Sequence, residues 1–259
     1  MRTYLKNLFL FPLFLSFLFT CGLSDDAYSI PEPMFFDLIR PLGAKKGELE
    51  VNTLASFPSK TTNKKTKLDP FSPSATSKDN EKIEWAPEIE YALADGFAIE
   101  FELPFEGSEL EAYKFGAQYT FGTLLDNSYI HGLHFLLEPT KEWEQYNTTA
   151  MYVGGYRLNK LFSTLFMLGG RADLEGDKRG ESFEYLANIS LFANISHSLV
   201  FGVETNYSKE RDRGFYALKI IPQIQYELNE KIEFQAGWSF GEATHSREQS
   251  FVMRAIYCF

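Results

Sequence analysis

Residues 183–207 read FEYLANISLFANISHSLVFGVETNY. In Phe183–Ile195 and again in Leu199–Tyr207, apolar residues alternate with polar or small ones, and a tight connection at Ser196-His197 separates the two runs. This period of two indicates β-strands, because successive side chains of a strand point to opposite faces of the sheet. A helix would repeat its apolar residues at i, i+3 and i+4, and no long stretch of the chain does so. The two runs therefore predict neighbouring antiparallel strands.

The same alternation recurs from Gly47 to the C-terminus and predicts about twelve strands. Their expected spans are 47–57, 83–93, 97–106, 110–121, 129–138, 147–158, 161–173, 182–195, 198–208, 215–228, 232–241 and 250–259. The alternation is weakest in 147–158 and 161–173, where glycines blur it. Tight and open connections follow one another, with exceptions at 122–128 and 107–109. This order is typical of an all-β, antiparallel, up-and-down transmembrane β-barrel.

Alternation alone does not say which face of the barrel meets water, and a soluble β-barrel or sandwich is the alternative. A segment of about ten residues, at about 3.3 Å each and tilted, spans about 24 Å, which matches an outer-membrane apolar band. Tyr257 and Phe259 end the last strand and are interpreted as a signal for barrel assembly. Aromatic residues gather at strand ends, as at lipid–water interfaces: Tyr119, Phe121, Tyr129, Tyr207, Tyr226, Trp238, Tyr257 and Phe259.

The first residues match a secretory signal peptide. Arg2 and Lys6 precede the apolar run Leu8–Phe19, and Ala27-Tyr28-Ser29 offers small residues for cleavage before Ile30. Attachment of a lipid at Cys21 is the alternative. The sequence thus predicts export to the cell outer membrane, with a signal peptide at 1–29, a periplasmic lead or plug at 30–46 and the barrel at 47–259.

Composition and scattered chemistry argue against an enzyme or a nucleic-acid binder. The chain has 259 residues and a formal net charge of -10, whereas nucleic-acid binding favours a basic face. Its two cysteines exclude a disulfide scaffold or a cysteine-built metal site. His131 and His134 are expected on opposite faces of a strand, and His245-Ser246 lacks an orienting Asn. We predict no catalytic residue, no metal and no cofactor.

Proline is the main obstacle to this interpretation. Pro87, Pro104 and Pro222 lie inside expected strands. Proline has no N–H to donate to a strand ladder, so each should mark a bulge, a strand end or a wrong boundary.

Two stretches resemble a known family. They are Arg40-Pro41-Leu42-Gly43-Ala44-Lys45-Lys46-Gly47-Glu48 and the run from Trp85-Ala86-Pro87-Glu88 through Glu102-Leu103-Pro104-Phe105-Glu106 to Lys114. Over about residues 40–121 they resemble Gram-negative outer-membrane proteins of the "MetA-pathway of phenol degradation" family. The resemblance implies a β-barrel and passage of small aromatic or apolar compounds through the outer membrane. It brings no catalytic residues.

Strand parity predicts an acidic lumen. The expected lumen-lining residues are Glu84, Glu88, Glu90, Glu100, Glu102, Lys114, Glu184, Glu204, Lys219, Glu227, Glu233 and Arg254. Because one charge sign favours counter-ions, we expect a porin-like channel that prefers cations. Its expected partners are outer-membrane lipid, the barrel assembly machinery and a small solute that the sequence does not identify. The alternative is a closed structural or surface-interaction barrel, in which Arg40, Lys45 and Lys46 fold in as a basic plug against Glu84–Glu102.

Overall fold

The computed structural model describes residues 30–36, 38–62, 82–175, 183–244 and 246–259. The predicted signal peptide, Cys21 and His245 lie outside these residues, so the structure does not test the predicted cleavage before Ile30. Among the described residues no helix is long and apolar enough to span a membrane. The strands are β1 (Leu49–Thr62), β2 (Glu84–Ala94), β3 (Phe97–Glu102), β4 (Phe105–Glu106), β5 (Glu109–Leu110), β6 (Lys114–Leu124), β7 (Tyr129–Pro139), β8 (Tyr146–Arg157), β9 (Phe162–Glu175), β10 (Phe183–Ser196), β11 (Leu199–Glu210), β12 (Tyr216–Asn229), β13 (Ile232–Ala243) and β14 (Arg247–Cys258).

Twelve of these strands form a closed antiparallel ring. Each long strand pairs with its neighbours along the chain, and β1 closes the ring by pairing with both β2 and β14. The two-residue strands β4 and β5 form a small hairpin that extends the end of β2. The prediction of an all-β, antiparallel, up-and-down barrel of about twelve strands is confirmed.

Two of the three prolines, Pro104 and Pro222, lie at irregular places in the ring. The expected strand 97–106 is interrupted after Glu102, and Pro104 lies in the break before β4. In β12 the ladder to β13 passes from Ile220 to Gln223 and skips Pro222, which has no N–H to donate. Pro87 stays inside β2, where its carbonyl accepts the backbone N–H of Leu103.

Several strand boundaries were predicted wrongly. The expected strand 110–121 begins only at Lys114, because Glu109–Leu110 pairs with β4 instead of continuing the ring. The last strand begins at Arg247, three residues before its expected start at 250, because its pairing with β1 extends to Thr62. Polar residues at strand ends continue the hydrogen-bonded ladder. Hydrophobic alternation cannot detect them, so it misplaces strand boundaries.

The barrel has its apolar face outside and its polar face inside. In β10, for example, Tyr185, Ile189 and Leu191 are exposed, whereas Glu184 and Asn188, which have the opposite parity, are buried. The same arrangement recurs in β2, β11 and β12. An apolar surface this extensive is unusual for a soluble monomer and is the arrangement of barrels whose outer face meets lipid.

The two ends of the barrel differ. One end, called the turn end below, carries the connections 95–96, 125–128, 158–161, 197–198 and 230–231. The C-terminus lies there too, because the Phe259 N–H donates to the Leu49 carbonyl. Gly96 adopts φ of 74°, the left-handed region that glycine tolerates, in the turn between β2 and β3. Residues that precede β1 also enter at the turn end, where Gly96 N–H donates to Ala44 O.

Candidate functional site: the occupied lumen

A segment without regular secondary structure lies inside the ring of strands. It comprises the described residues 30–36 and 38–42 and is called the inner segment. Met34, Leu38 and Ile39 are each 0% exposed. Such complete burial needs covering groups on all sides, and strands of the ring provide them.

The buried carboxylate of Glu204 in β11 holds the backbone of the inner segment. It accepts the N–H groups of Met34, Phe35 and Phe36 at 2.8, 3.0 and 2.9 Å. The side-chain amides of Asn188 and Asn206 donate to the same carboxylate. Buried backbone N–H groups outside helices and sheets need such partners, and hydrogen bonds to a charged acceptor are the stronger kind.

Further side chains of the ring accept or donate along the inner segment. Gln118 of β6 accepts the N–H of Ile39 at 3.2 Å and donates to the carbonyl of Arg40 at 2.7 Å. Gln225 of β12 donates to the carbonyl of Glu32 at 2.7 Å. These bonds come from opposite parts of the ring, so they fix the inner segment across the lumen.

The apolar side chains of the inner segment pack against one side of the ring. Met34, Phe35, Phe36 and Leu38 belong to a single buried cluster with side chains of β8, β9, β10, β12 and β14. The members from β8 to β10 are called the apolar wall: Met151, Val153, Leu165, Met167, Leu186 and Phe192. Apolar residues in a barrel lumen are unexpected from parity, and the inner segment is what keeps them from water.

Two glycines make space for the inner segment. A Cβ on Gly155 would lie 2.6 Å from Ile30 Cδ1, and a Cβ on Gly116 would overlap Ile39 Cδ1. Glycine in a strand often marks such a close approach.

Carboxylates concentrate on another part of the ring. The acidic wall consists of buried glutamates on β1 to β4: Glu50, Glu84, Glu88, Glu90, Glu100, Glu102 and Glu106. Four pairs stand directly opposite one another in the strand register, which is unfavourable for like charges: Glu84 with Glu106, Glu88 with Glu102, Glu90 with Glu100, and Glu50 with Glu90.

Nearby donors partly offset this repulsion. Lys114 forms ion pairs with Glu102 and, at 3.8 Å, with Glu100. Asn52 donates to Glu50 and to Glu90. Carboxylate oxygens of Glu88, Glu100 and Glu102 lie within 4.8 Å of one another, a spacing at which oxygens could ligate a metal ion. Lys114 already supplies a cation to two of these three residues.

The predicted lumen residues occupy the following places. Glu84, Glu88, Glu90, Glu100, Glu102, Glu184, Glu204, Lys219 and Arg254 are buried on the inner face, and Lys114 is half-buried. Glu227 and Glu233 lie at the turn end, exposed and half-buried respectively. Lys219 pairs with Glu248 at 3.1 Å and lies over the ring of Phe35. A role for these residues in conduction stays a prediction.

The expectation of a basic plug against Glu84–Glu102 is wrong in its chemistry. Lys45 and Lys46 are exposed at the turn end. Arg40 is buried, but its guanidinium pairs with Glu50 and Glu48. The segment in the lumen is instead mostly apolar. It packs on the apolar wall, its backbone N–H groups donate to Glu204, and Arg40 contacts the acidic wall through Glu50.

The remaining predicted features are placed as follows. His131 lies on the outer face, where its Nδ1 is 3.0 Å from the hydroxyl of Tyr152, and His134 lies buried on the inner face. The two histidines therefore do not share a site. Tyr257 and Phe259 are exposed at the turn end with their ring centroids 4.7 Å apart. Their part in assembly stays a prediction.

The geometry defines a class: a barrel with porin-like fold, an apolar outside and an occupied lumen. Residues 28–258 match the HAEPLYID-like family, and the chain belongs to that family. No curated protein matches the sequence. The resemblance to the "MetA-pathway of phenol degradation" family is not confirmed.

Solved outer-membrane barrels share the fold at very low identity. The KdgM porin is 12% identical, with 81% of this chain and 99% of that chain covered and a TM-score of 0.57. The NanC porin is 8% identical, with coverages of 80% and 98% and a TM-score of 0.61. An outer-membrane channel from Pseudomonas putida F1 is 10% identical, with coverages of 92% and 100% and a TM-score of 0.58. Such identities show a common fold and nothing finer.

Proposed function

We propose that this protein is an outer-membrane channel for a small solute and that the structure represents its closed state. The observation that carries the proposal is the inner segment itself, which lies in the lumen and is held there by Glu204. Known channels and porins with this fold support an outer-membrane location and a role in passage. No catalytic part is proposed for any residue.

Removal of the inner segment would leave a lumen with an acidic side. A path lined by one charge sign raises the local concentration of counter-ions. The solute we propose is therefore cationic, or carries hydrogen-bond donors. An aromatic or apolar solute was implied only by the resemblance and has lost that support.

The test is conductance in a planar bilayer, for the full protein and for a form that lacks residues 30–44. We expect little current from the full protein and a steady, cation-preferring current from the shortened form, measured as the reversal potential across a salt gradient. Migration on a gel before and after boiling checks that both forms contain a folded barrel. Absence of current in both forms, or a preference for anions, would contradict the proposal.

A closed structural or surface-interaction barrel is the second candidate. The complete burial of Met34, Leu38 and Ile39 favours it, because a lumen packed in this way resembles a protein core. In that case the shortened form should conduct no current and should unfold at a lower temperature than the full protein.

Export and assembly are proposed from the sequence. Cleavage before Ile30 would place the inner segment at the start of the mature chain, and N-terminal sequencing tests this directly. A lipid on Cys21 or an intact Met1 would contradict it. The barrel assembly machinery and outer-membrane lipid are the proposed partners.

The terminal aromatic gives a separate prediction about assembly. Phe259 is 69% exposed at the end of the chain and contacts Tyr257, so its loss should leave the fold itself nearly intact. We expect deletion of Phe259 to reduce the amount of barrel in the outer membrane. Refolding of the same variant in detergent should be unchanged, and normal insertion in cells would contradict the prediction.

A further inference from the structure

A cavity of about 200 Å³ lies at the turn end, between the inner segment and the ends of the strands. Glu32 and Arg40 of the inner segment line it on one side, and Glu50, Glu227 and Glu233 of the ring line it on the other. It is smaller than the 300–1,000 Å³ or so of a pocket for drug-sized ligands, so it suits a ligand of a few heavy atoms.

Carboxyl groups outnumber cations in the lining. Those of Glu32, Glu50, Glu227 and Glu233 face the cavity. The guanidinium of Arg40 also lines it and is engaged by Glu48 and Glu50, and Arg254, outside the lining, lies 3.9 Å from Glu32. Glu227 and Glu233 stand directly opposite each other in the register of β12 and β13. Like charges in this position destabilise a sheet, and a cation between or beside them would relieve the repulsion.

Two buried oxygen atoms of the lining lack a donor. Within the described residues, Oε1 of Gln235 and Oε1 of Glu32 accept no hydrogen bond. Gln235 is 2% exposed and Glu32 is 9% exposed, so neither is simply solvated. The amide of Gln235 donates to Glu233 at 3.0 Å, which leaves its oxygen as an acceptor. Buried acceptors without donors are costly, and a ligand with N–H groups would satisfy them.

We propose that this cavity binds a small protonated amine. The site exists in the closed barrel whether or not the barrel conducts, so the inference stands apart from the channel. The geometry favours an amine over a bare metal ion, because metal ions need ligand atoms close together. Among the described residues the carboxylate group with such spacing is Glu88, Glu100 and Glu102, which lies outside this cavity.

Binding of the amine should also hold the inner segment in place. Glu32 belongs to the inner segment, whereas Glu227, Glu233 and Gln235 belong to the ring. A ligand that contacts both parts binds the docked state more tightly and therefore shifts the population toward it.

Titration calorimetry of the full chain in detergent at low salt tests the proposal, with 1,4-diaminobutane as the probe. The neutral isostere 1,4-butanediol and Ca²⁺ are titrated in parallel. We expect the diamine to bind, and the double variant Glu227→Gln, Glu233→Gln to bind it at least about tenfold more weakly, because charge-assisted hydrogen bonds are lost. The matched control is Glu184→Gln, which removes a buried inward carboxylate that does not line the cavity and should change affinity less than about twofold.

A second measurement reports occupancy at the site itself. Cys258 lines the cavity and is half-buried; its thiol is in no disulfide and donates to Glu50 at 3.7 Å. In a Cys21→Ser background it is the remaining cysteine of the chain. The diamine should slow its reaction with a small thiol reagent, and the diol should not. This readout needs no variant of the lining.

The outcomes distinguish a specific amine site from general attraction of cations to an acidic lumen. Binding that falls in the double variant but not in Glu184→Gln, with protection of Cys258, supports the site. Equal loss in Glu184→Gln means general attraction to an acidic lumen and overturns it. Binding of Ca²⁺ without the diamine, equal binding of the diol, or no binding to a full protein that migrates as a folded barrel overturns it as well.

Discussion

The acidic wall and the apolar wall lie nearly opposite each other in the same ring, since β2 and β9 are five strands apart among twelve. Both walls face inward, but they are stabilised differently. The acidic wall finds several of its partners within the ring, such as Lys114 and Asn52. The apolar wall finds its partners in the inner segment. A barrel lumen therefore combines a protein-like core on one side with a polar surface on the other.

This difference implies that a substitution on the apolar side can release the inner segment while the ring stays folded. The largest effect should come from Leu38→Asp. Leu38 is fully buried in the apolar cluster, and an unpaired carboxylate there should cost at least about 3 kcal/mol of docking free energy. We expect chymotrypsin to cleave the released segment after Phe35 or Phe36, as detected by mass spectrometry.

The matched control is Lys45→Asp, which places the same new carboxylate at an exposed position of the same stretch. It should leave the segment as resistant to chymotrypsin as in the unmodified protein. Full resistance of Leu38→Asp would mean that the packing on the apolar wall does not hold the segment.

The second prediction tests the hydrogen bonds. Glu204→Gln replaces a carboxylate that accepts three backbone N–H groups by an amide with a single acceptor oxygen. At least one buried N–H should lose its partner, which costs about 1–3 kcal/mol. Docking should weaken measurably in the chymotrypsin assay, whereas Glu184→Gln, on neighbouring β10, should leave it unchanged.

The third prediction tests steric fit. Gly155→Ala places a methyl group 2.6 Å from Ile30 Cδ1, and overpacking of this kind costs about 1–3 kcal/mol. The inner segment should become more accessible to protease. Adding Ile30→Ala removes the overlapping atoms and should restore protection. If the double variant stays as accessible as Gly155→Ala, the strain lies in the ring and not in the contact.

The sequence predicts the ring far better than its contents. Alternation defines β10 to β12 well, because their outer faces are apolar and most of their inner residues are polar. It fails across 147–173, where Met151, Val153 and Met167 are apolar on the inner face as well. A wall that receives an apolar segment loses the contrast between its two faces, so the weak alternation there is itself the signal of a covered lumen.

The inner segment has no periodicity to find, because its backbone bonds go to side chains distant in sequence. Glu204 lies 170 residues from Met34, and parity indicates only that it points inward. The acidic wall is different, because strand parity alone predicts that its glutamates point inward. No knowledge of a distant partner is needed for that prediction. Strand parity therefore predicts which residues line the lumen, but it does not predict what those residues bind.

The last prediction concerns pH and the carboxyl group of Glu32, which belongs to the inner segment and lines the cavity. Burial, and next the charge of Glu50, raise the pKa of Glu32 from its ordinary 4.5 to about 8, with Arg254 and Arg40 acting in the opposite direction and Glu233 adding to the rise. In the docked state Glu32 thus keeps a proton that it loses when the segment is released.

The sign of the pH dependence follows from this linkage. The contribution of Glu32 to docking is fully present below pH 4.5, where both states bind the proton, and is lost as pH rises toward 8. We therefore expect the open fraction of the full protein in a planar bilayer to rise between pH 5 and pH 8. Glu32→Gln cannot titrate and should flatten this rise, and the shortened form that lacks residues 30–44 should show none of it. A rise of the same size in Glu32→Gln would place the titrating group on the acidic wall instead, and an open fraction that falls with pH would contradict the burial of a protonated Glu32 in the docked state.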